Sequence, residues 1–313
     1  MTGHEAALEA LRPVSFGIAY RMLGSVAEAE DVTQEALLRV HRAMESGESI
    51  TSPRAYAATV ATRLAINELR SARARREQYV GDWLPEPISV DPRDDPAARA
   101  ETADALSLAM LVVLETLTPE QRAVLLLRDV FDYAFADIAE IVGTTEVNAR
   151  QLASRARKHV HARRPRFGTT GEQRDELARR FHAALEGDDL AGLEALLARD
   201  VRLTGDGGGK VPALARALDG RSRVARTLLT WLRQTRRIAG GGAQPATING
   251  APGVRVVDAE GRLLAIWALD LAGGAVVAVD SIVNPDKLAH LGPLADVEAL
   301  LPKRADTLRG ACA

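Results

Sequence analysis

The spacing of apolar residues changes partway along the chain, and this change limits the folds open to it. Through about residue 164 they recur at helical spacing, as in 27–44, where Val32, Ala36, Leu37 and Val40 share one face. Later, after two amphipathic helices and a further helical stretch, residues 246–288 alternate like three or four antiparallel strands. We therefore predict a multidomain protein, with helical domains followed by an α+β cone that encloses a pocket.

A segment of different composition interrupts the helical half. Residues 78–104 contain four prolines and many acidic residues, a composition typical of a linker. Within it, the stretch WLPEP places Trp83 and Leu84 among rigid prolines. A disordered linker has no use for such apolar side chains, so we expect Trp83 to dock on another part of the chain.

A helix-turn-helix pattern follows the linker. Gly143 and Thr144 form the turn, and Thr145 caps the second helix. Val147 and Leu152 are expected to face back into the unit. From 146 to 166 the only acidic residue is Glu146 among seven basic ones, which favours DNA phosphate binding over a merely solvated basic helix.

Several classes of protein are disfavoured by composition. Cys312 is the only cysteine, so no intrachain disulfide or cysteine-based metal site is expected, and no cofactor is predicted. The N-terminus has no apolar core run, so it does not resemble a signal peptide. The most apolar stretch, 263–283, is interrupted by aspartate and glycine and reads as strands around a turn rather than a membrane span. We therefore expect a cytoplasmic protein.

The stretch DGGGK at 206–210 raises the question of nucleotide binding. A phosphate-binding loop requires G-x-x-x-x-G-K-[ST], but alignment on Gly209 and Lys210 places Thr204 and Val211 at the two ends of the pattern. The nucleotide interpretation therefore fails at both ends. By local evidence alone, a turn with positive φ angles remains.

Three motifs in order resemble the sigma-70 family, specifically the extracytoplasmic-function (ECF) sigma factors. Residues 19–43 (AYRMLGSVAEAEDVTQEALLRVHRA) resemble sigma regions 2.1–2.2, and 53–77 (PRAYAATVATRLAINELRSARARRE) resemble regions 2.3–2.4. Residues 117–160 resemble region 4. WLPEP, DGGGK and NPDK (284–287) together resemble the ECF group that carries a fused SnoaL-like (nuclear-transport-factor-like) C-terminal domain in place of a separate anti-sigma protein.

The resemblance implies a domain organisation and a set of partners. The expected domains are sigma region 2 (1–77), the linker (78–105), sigma region 4 (106–168), the SnoaL-like regulatory domain (172–290) and a tail (291–313). The expected partners are promoter DNA and core RNA polymerase, through its β′ coiled coil and β flap. A small-molecule ligand in the cone is a further expectation, and a membrane partner is not.

The resemblance also implies functional residues. Polymerase binding maps to Asp31, Gln34 and Glu35. Binding of the −10 element maps to Arg54, Tyr56, Arg63, Asn67, Arg70 and Arg73. Binding of the −35 element maps to Glu146, Asn148, Ala149, Arg150, Ser154, Arg155, Arg157 and Lys158. Interdomain regulatory contacts map to Trp83, Leu84, Pro85, Glu86, Pro87, Asp206, Gly207, Gly208, Gly209, Lys210, Asn284, Pro285, Asp286 and Lys287. We expect no catalytic residue.

Two hypotheses concern the C-terminal half more closely. Lys210 is expected to pair with a linker acid such as Glu86, while Trp83 fills an apolar notch. His182, Asp206, Trp267 and Asp280 are candidates to line the pocket of the cone, which leaves open a ligand-sensing or enzymatic domain tethered to a DNA-binding module. The segment 31–35 distinguishes the two classes, because a plain DNA-binding regulator has no need of a polymerase-binding face.

Overall fold

The computed structural model describes residues 3–47, 50–76, 78–90, 106–163 and 171–297. The predicted linker end (91–105), residues 164–170 and the tail from 298 lie outside these residues, as does the side chain of Arg73. The described residues form two compact units. The first contains 3–76, Gln78 and 106–163, and the second contains 79–90 and 171–297.

The first unit is helical throughout its described residues. Its helices are α1 (Gly3–Glu9), α2 (Arg12–Leu23), α3 (Val26–Glu45), α4 (Pro53–Arg76), α5 (Leu108–Leu114), α6 (Pro119–Asp129), α7 (Phe135–Val142) and α8 (Glu146–Arg163). Leu11, Val40 and Ala57 form a small core between the first helices. Val124, Leu127, Ile138 and Ala153 belong to the core of the helix-turn-helix.

Helix boundaries in this unit follow from capping residues. The Ser52 hydroxyl accepts a hydrogen bond from Ala55 N at 3.3 Å, and Pro53 begins α4. Thr118 and Gln121 form a reciprocal capping box at the start of α6. Thr145 caps α8 by accepting from Asn148 N at 3.2 Å, while Gly143, at φ 74°, ends α7. The caps predicted from the sequence at Ser52, Thr118 and Thr145 are confirmed.

The second unit packs three helices on one face of a curved sheet. The helices are α9 (Gly171–Glu186), α10 (Leu190–Leu196) and α11 (Arg221–Ala239), and α12 (Pro285–Leu288) follows the last strand. The strands are β1 (Ser89–Val90), β2 (Leu197–Asp206), β3 (Leu218–Asp219), β4 (Gly242–Ile248), β5 (Ala251–Val257), β6 (Leu263–Ala272) and β7 (Ala275–Ile282). They lie in the order β1-β4-β5-β6-β7-β2-β3, with β2 and β7 parallel and the other pairs antiparallel.

Strand alternation assigns the two faces of this sheet. Leu203, Trp267 and Val279 belong to the core shared with the helices. Because successive side chains of a strand point to opposite faces, Asp206 and Asp280 lie on the other side. The α+β cone is the fold class predicted from the sequence, including its turns at Gly250, Gly261 and Gly273–Gly274.

The linker differs from its prediction. Residues 78–105 are predicted to be a separate segment, but residues 79–90 belong to the second unit, and β1 extends its sheet by pairing with β4. Ser89 and Val90 form that pairing with main-chain groups, which side-chain patterns do not reveal. Among the described residues, no helix combines the length and apolarity that a membrane crossing requires.

Candidate nucleic-acid interface and linker-binding site

The Asp206 carboxylate lies at the centre of the contacts between the linker and the cone. Its Oδ1 accepts hydrogen bonds from Tyr79 Oη at 2.5 Å and Gly208 N at 3.1 Å. Its Oδ2 accepts from Leu84 N at 2.8 Å and Lys287 Nζ at 2.6 Å. The carboxylate is fully buried, and these four donors satisfy its acceptor capacity. Two of the donors come from the linker, so its removal would leave a buried charge with fewer partners.

Lys287 completes this arrangement. Its side chain is 5% exposed, and its ammonium pairs with Asp206 and also donates to the carbonyl oxygen of Leu84. It lies 4.1 Å from the Trp83 ring centroid and 4.9 Å from that of Tyr79, within the range of cation–π attraction. Asn284 Nδ2 donates to Tyr79 Oη at 2.9 Å. We call Asp206, Asn249, Asn284 and Lys287 the linker-binding site.

Tyr79 acts as a neutral hydrogen-bond donor in this site. Burial is the main factor that raises the pKa of its phenol, and the neighbouring Asp206 carboxylate raises it further. The hydroxyl therefore retains its proton across the physiological pH range and donates it to Asp206. This linker residue was missed by sequence reasoning, which began the docking motif at Trp83.

The glycine loop allows the linker to approach closely. Gly208 and Gly209 have φ angles of 60° and 72°, in the left-handed region that favours glycine. A Cβ on Gly208 would collide with the Asn284 amide and lie 3.0 Å from Tyr79 Oη, and one on Gly209 would lie 3.0 Å from Val80 Cβ. The loop is thus a surface that the side chains of Tyr79 and Val80 approach closely, in agreement with the predicted close approach.

A second set of contacts holds the end of the linker. Asn249 Oδ1 accepts from Ile88 N at 3.0 Å, and Asn249 N donates to Ile88 O at 2.8 Å. His290 Nε2 and the Pro87 carbonyl oxygen are 2.8 Å apart. Asn249 is buried at the turn between β4 and β5, with φ of 49°, a conformation asparagine tolerates better than most residues. Neither Asn249 nor His290 was among the predicted site residues.

The structure brings the three predicted motifs together. Leu84, Pro85 and Pro87 are buried, while Trp83 and Glu86 are half-buried. Asn284 caps α12 by accepting from Asp286 N at 3.1 Å, and Pro285 begins that helix. One expected pairing is wrong: Lys210 Nζ lies 2.5 Å from Asp286 Oδ2 on the exposed surface, instead of pairing with Glu86. Trp83 likewise lies against the Lys287 ammonium, where an apolar notch was expected.

The recognition helix α8 requires two corrections. Ala149 was predicted to face DNA bases, but it is fully buried in the helix-turn-helix core, because it lies on the same helical face as Ala153. Val147 was expected to face inward, but it is 67% exposed. An exposed valine at the start of a recognition helix can contact a thymine methyl group, whereas Ala149 cannot reach one.

The polar residues predicted for the −35 element are exposed on α8, namely Glu146, Asn148, Arg150, Ser154, Arg155, Arg157 and Lys158. Arg150 pairs with Glu146 and lies 4.7 Å from the Phe135 ring centroid. Arg157 pairs with Asp129 through both carboxylate oxygens, which raises the pKa of its guanidinium. Arg157 is therefore already engaged within the unit.

The residues predicted for the −10 element lie along α4. Arg54, Arg63, Asn67 and Arg70 are exposed, while Tyr56 is half-buried against the core around Val40. Arg63 donates to the carbonyl oxygens of Ile141 at 3.1 Å and Glu140 at 2.9 Å, at the C-terminal end of α7. Arg70 pairs with Glu120 of α6 at 2.6 Å. Two of the predicted DNA-binding arginines therefore contact the helix-turn-helix half of the same unit.

A buried ion cluster strengthens this contact. Arg122 of α6 is fully buried and donates to the Arg21 carbonyl oxygen at 2.9 Å. Glu115 pairs with both Arg122 and Arg76, and Arg76 also donates to the Leu23 carbonyl oxygen at 2.6 Å. Removing one member of such a buried cluster costs about 3–5 kcal/mol, because an uncompensated charge remains. We call this arrangement of the first unit its closed form.

The residues predicted to bind polymerase share one face of α3. Asp31 and Gln34 are exposed, and Glu35 is half-buried beside Arg39. Leu38 lies on the same face, one turn beyond Gln34, and is 41% exposed. An exposed leucine beside acidic residues suits a protein partner better than plain solvent. Leu38 was missed because the helical pattern alone does not say which leucine is left uncovered.

The candidates for the cone pocket are separated by the structure. Trp267 lines a cavity on the helix-covered face. Asp206 and Asp280 lie on the opposite face of the sheet, and His182 lies within 3.1 Å of the Ala243 carbonyl oxygen, outside that cavity. The expectation that these four residues meet in one pocket is therefore wrong. It failed because strand alternation places neighbouring residues such as Asp280 and Ser281 on opposite faces.

Comparison with known proteins decides the family. The Sigma-70 region 2 family matches residues 7–75, and the Sigma-70, region 4 family matches residues 107–160. The ECF RNA polymerase sigma factor SigJ of Mycobacterium tuberculosis is 41% identical over 288 residues, which cover 89% of this chain and 91% of SigJ. This chain belongs to the ECF sigma factors.

Two further similarities extend over nearly the whole chain. The crystal structure of Mycobacterium tuberculosis SigJ matches with a TM-score of 0.74 and 38% identity, covering 93% of this chain and 99% of that one. The probable ECF sigma factor SigI of the same species is 31% identical, covering 91% of this chain and 95% of SigI. The ECF sigma factor described here therefore has sigma regions 2 and 4 and a fused SnoaL-like C-terminal domain, and it is a transcription-initiation factor of bacterial RNA polymerase.

Proposed function

We propose that the C-terminal domain controls this sigma factor in cis by holding its linker. In the proposed inactive state, the linker-binding site is occupied and regions 2 and 4 remain in the closed form. In the active state, the linker leaves the site and the two regions separate to bind the −10 and −35 elements. We propose domain limits of 1–77 for region 2, 106–168 for region 4 and 172–290 for the regulatory domain, with the linker at 78–105 and the tail at 291–313.

The direct contact between regions 2 and 4 in the closed form supports its assignment to the inactive state. The two promoter elements occupy different positions along the duplex, which rises by about 3.4 Å per base pair. In the closed form, Arg63 and Arg70 of region 2 directly contact Glu140 and Glu120 of region 4. Regions in direct contact with each other cannot reach two separated elements, and these two arginines cannot also bind the −10 strand.

The linker supplies the reach that promoter binding requires. Residues 79–90, when released, can span up to about 40 Å as an extended chain. In the linker-binding site this length is fixed by Asp206 and Lys287 at one end and by Asn249 at the other. Occupation of the site therefore removes residues 79–90 from the free length of the connection between regions 2 and 4. This observation carries the proposal most directly.

The individual DNA and polymerase contacts are part of the proposal. Val147, Asn148 and Arg150 would read bases in the −35 major groove, while Arg155 and Lys158 would hold phosphates. Asp31, Gln34, Glu35 and Leu38 would bind the polymerase β′ coiled coil, and region 4 would bind the β flap. The C-terminal domain would act without catalysis, since the described residues of its cavity include no acid or base.

Promoter-dependent transcription with bacterial core polymerase tests the proposal. Lys287→Met removes the buried ammonium that holds Leu84 and should raise initiation above the unmodified chain. Lys210→Met is the matched control, because this lysine pairs with Asp286 on the exposed surface and should leave initiation unchanged. Equal initiation by all three proteins would exclude control by the linker-binding site, and absence of initiation from every promoter tested would contradict the assigned activity.

A further inference from the structure

The second unit contains a cavity of about 320 Å³ between α11 and the helix-covered face of the sheet. This volume lies within the usual range for small-molecule sites. Trp231 and Trp267 form part of its wall, with ring centroids 6.3 Å apart and planes inclined by 46°. Gln234 lies toward the solvent-exposed mouth, while Trp267 and Ser281 lie in the buried interior.

The lining restricts the chemistry of a ligand. Among the described residues that form the cavity, none carries an ionisable Asp, Glu, His, Lys or Arg side chain. A charged ligand would lose its hydration there without gaining an opposite charge, so the cavity favours an uncharged one. Its wide apolar surface, which includes both tryptophans, favours a molecule with a flat apolar body.

Ser281 marks a polar position inside this apolar space. It is 1% exposed and lies directly opposite Trp267 on the neighbouring strand. It is one of the residues that line the cavity, and a serine hydroxyl can donate one hydrogen bond. An oxygen atom of a bound ligand would accept that hydrogen bond.

We infer that the cavity binds an uncharged, mainly apolar small molecule with one hydrogen-bond-accepting oxygen, and that its occupancy stabilises the docked linker. The coupling part of this inference rests on the proposed control by linker docking, whereas the binding site does not. The ligand would lie in the cavity, whereas Tyr79 and Leu84 of the linker bind Asp206 on the opposite face of the sheet.

The C-terminal ends of β2 and β7 connect the cavity on one face of the sheet with the linker-binding site on the other. Gly205 lines the cavity and the next residue, Asp206, binds the linker. Val283 also lines the cavity and precedes Asn284, and both donate their backbone N–H to the Asp206 carbonyl oxygen, at 2.9 Å and 3.0 Å. A ligand that fixes Gly205 and Val283 therefore also fixes the side chains that hold Tyr79 and Leu84.

The loop after Asp206 adds a second connection. Pro212, Ala213 and Leu214 form one side of the cavity. They pack back on the glycine loop so closely that a Cβ on Gly207 would lie 2.9 Å from Ala213 Cβ, and one on Gly205 would lie 3.0 Å from Leu214 N. An occupant that supports this side would hold the glycine loop in the shape that accepts the linker.

Fluorescence titration of the full chain with prodan, an uncharged naphthyl ketone, tests the binding site. We expect saturable binding with energy transfer from tryptophan, and binding about tenfold weaker in Ser281→Ala, the loss of one hydrogen bond. Ser222→Ala, which lies outside the cavity, should bind as the unmodified chain does. Absence of binding, equal binding of the anionic dye anilinonaphthalene sulfonate, or unchanged binding by Ser281→Ala would overturn the site.

Hydrogen exchange at Leu84 N–H, measured with and without prodan, tests the coupling. Saturating prodan should slow this exchange by the factor by which docking strengthens prodan binding, and Tyr79→Phe should weaken prodan binding by up to the same factor. Binding that leaves the exchange unchanged would overturn the coupling. Neither measurement involves polymerase or DNA, so failure here is distinguishable from failure of the proposed transcriptional control.

Discussion

Replacement of Tyr79 by phenylalanine isolates one contact of the linker-binding site. The change removes a hydroxyl that donates to Asp206 at 2.5 Å and accepts from Asn284 at 2.9 Å. It keeps the aromatic ring, which lies 4.9 Å from the Lys287 ammonium. The fold of the cone should persist, because the core on the opposite face of the sheet does not contain this residue.

The size of the effect follows from the charge on Asp206. A hydrogen bond to a charged group contributes about 1.5–3 kcal/mol, and the half-burial of Tyr79 places it near the middle of that range. We therefore expect Tyr79→Phe to weaken docking by about 2 kcal/mol. At about 1.4 kcal/mol per factor of ten, the ratio of docked to released linker should fall about thirtyfold.

Amide hydrogen exchange measures this ratio directly. The Leu84 N–H donates to Asp206 only while the linker is docked, so its exchange should accelerate about thirtyfold in Tyr79→Phe. Amides in the pairing of β5 with β6 should keep their rates, as should all amides in the control Tyr133→Phe. Unchanged exchange at Leu84 would refute the reasoning, and an equal acceleration in β5 and β6 would show general destabilisation instead.

Four other substitutions test separate parts of the account. Burial, followed by repulsion from Asp270, raises the pKa of Asp280 to about 7. The folded state therefore keeps a proton that the unfolded state loses from about pH 4, so the free energy of unfolding falls between about pH 4 and 7. Asp280→Asn should therefore increase the free energy of unfolding by about 2 kcal/mol at pH 8 and leave it unchanged near pH 4, as measured by urea denaturation. The expected increase is half of the free energy that corresponds to the full pKa shift, because the side chain is only half-buried. Arg155→Ala should weaken DNA binding alike for all sequences and reduce the salt slope by about 1, whereas Arg150→Ala should cost about 1–3 kcal/mol on the cognate −35 sequence only, measured by fluorescence anisotropy. Leu38→Asp should weaken binding to core polymerase without changing binding of isolated promoter DNA, and equal polymerase affinity would exclude Leu38 from that interface.

Local signals were sufficient to predict much of the fold. Ser52, Thr118 and Thr145 cap their helices as their sequence positions predict, since capping depends on residues within one turn. Glycines at 250, 261, 273 and 274 mark turns because each adopts a positive φ. The assignment of segments to helices or to strands followed from the spacing of their apolar residues, which is helical in the first half and alternating in the last strands.

Other features depend on contacts between distant residues. The pairing of β1 with β4 uses backbone groups of Ser89 and Val90, and no side-chain pattern encodes it. Ala149 and Val147 exchanged their expected orientations because a two-residue difference on a helix rotates a side chain by about 200°. Lys210 pairs with Asp286 because the turn at 284–287 brings that carboxylate nearer than Glu86, which only the folded chain reveals.

The same distinction applies to the linker-binding site. WLPEP, DGGGK and NPDK were grouped by resemblance, and their residues meet around Asp206. Tyr79 and Asn249, which provide comparable contacts, lie outside these motifs and were not found. The sequence signal that could have indicated Asn249 is the Asn-Gly pair at a hairpin turn, but its contact with Ile88 requires the folded sheet.

A reversible covalent link between linker and cone tests the central claim most directly. The substitutions Val80→Cys and Gly209→Cys place two thiols side by side. A Cβ on residue 209 would lie 3.0 Å from the Cβ of residue 80, so a disulfide can form after a small shift. Cys312→Ser is added to remove the native cysteine, and the protein with this change alone is the control. With core polymerase and a promoter pool, we predict little initiation from the oxidised protein and recovery on reduction. Equal initiation in the oxidised and reduced states would contradict control by linker docking.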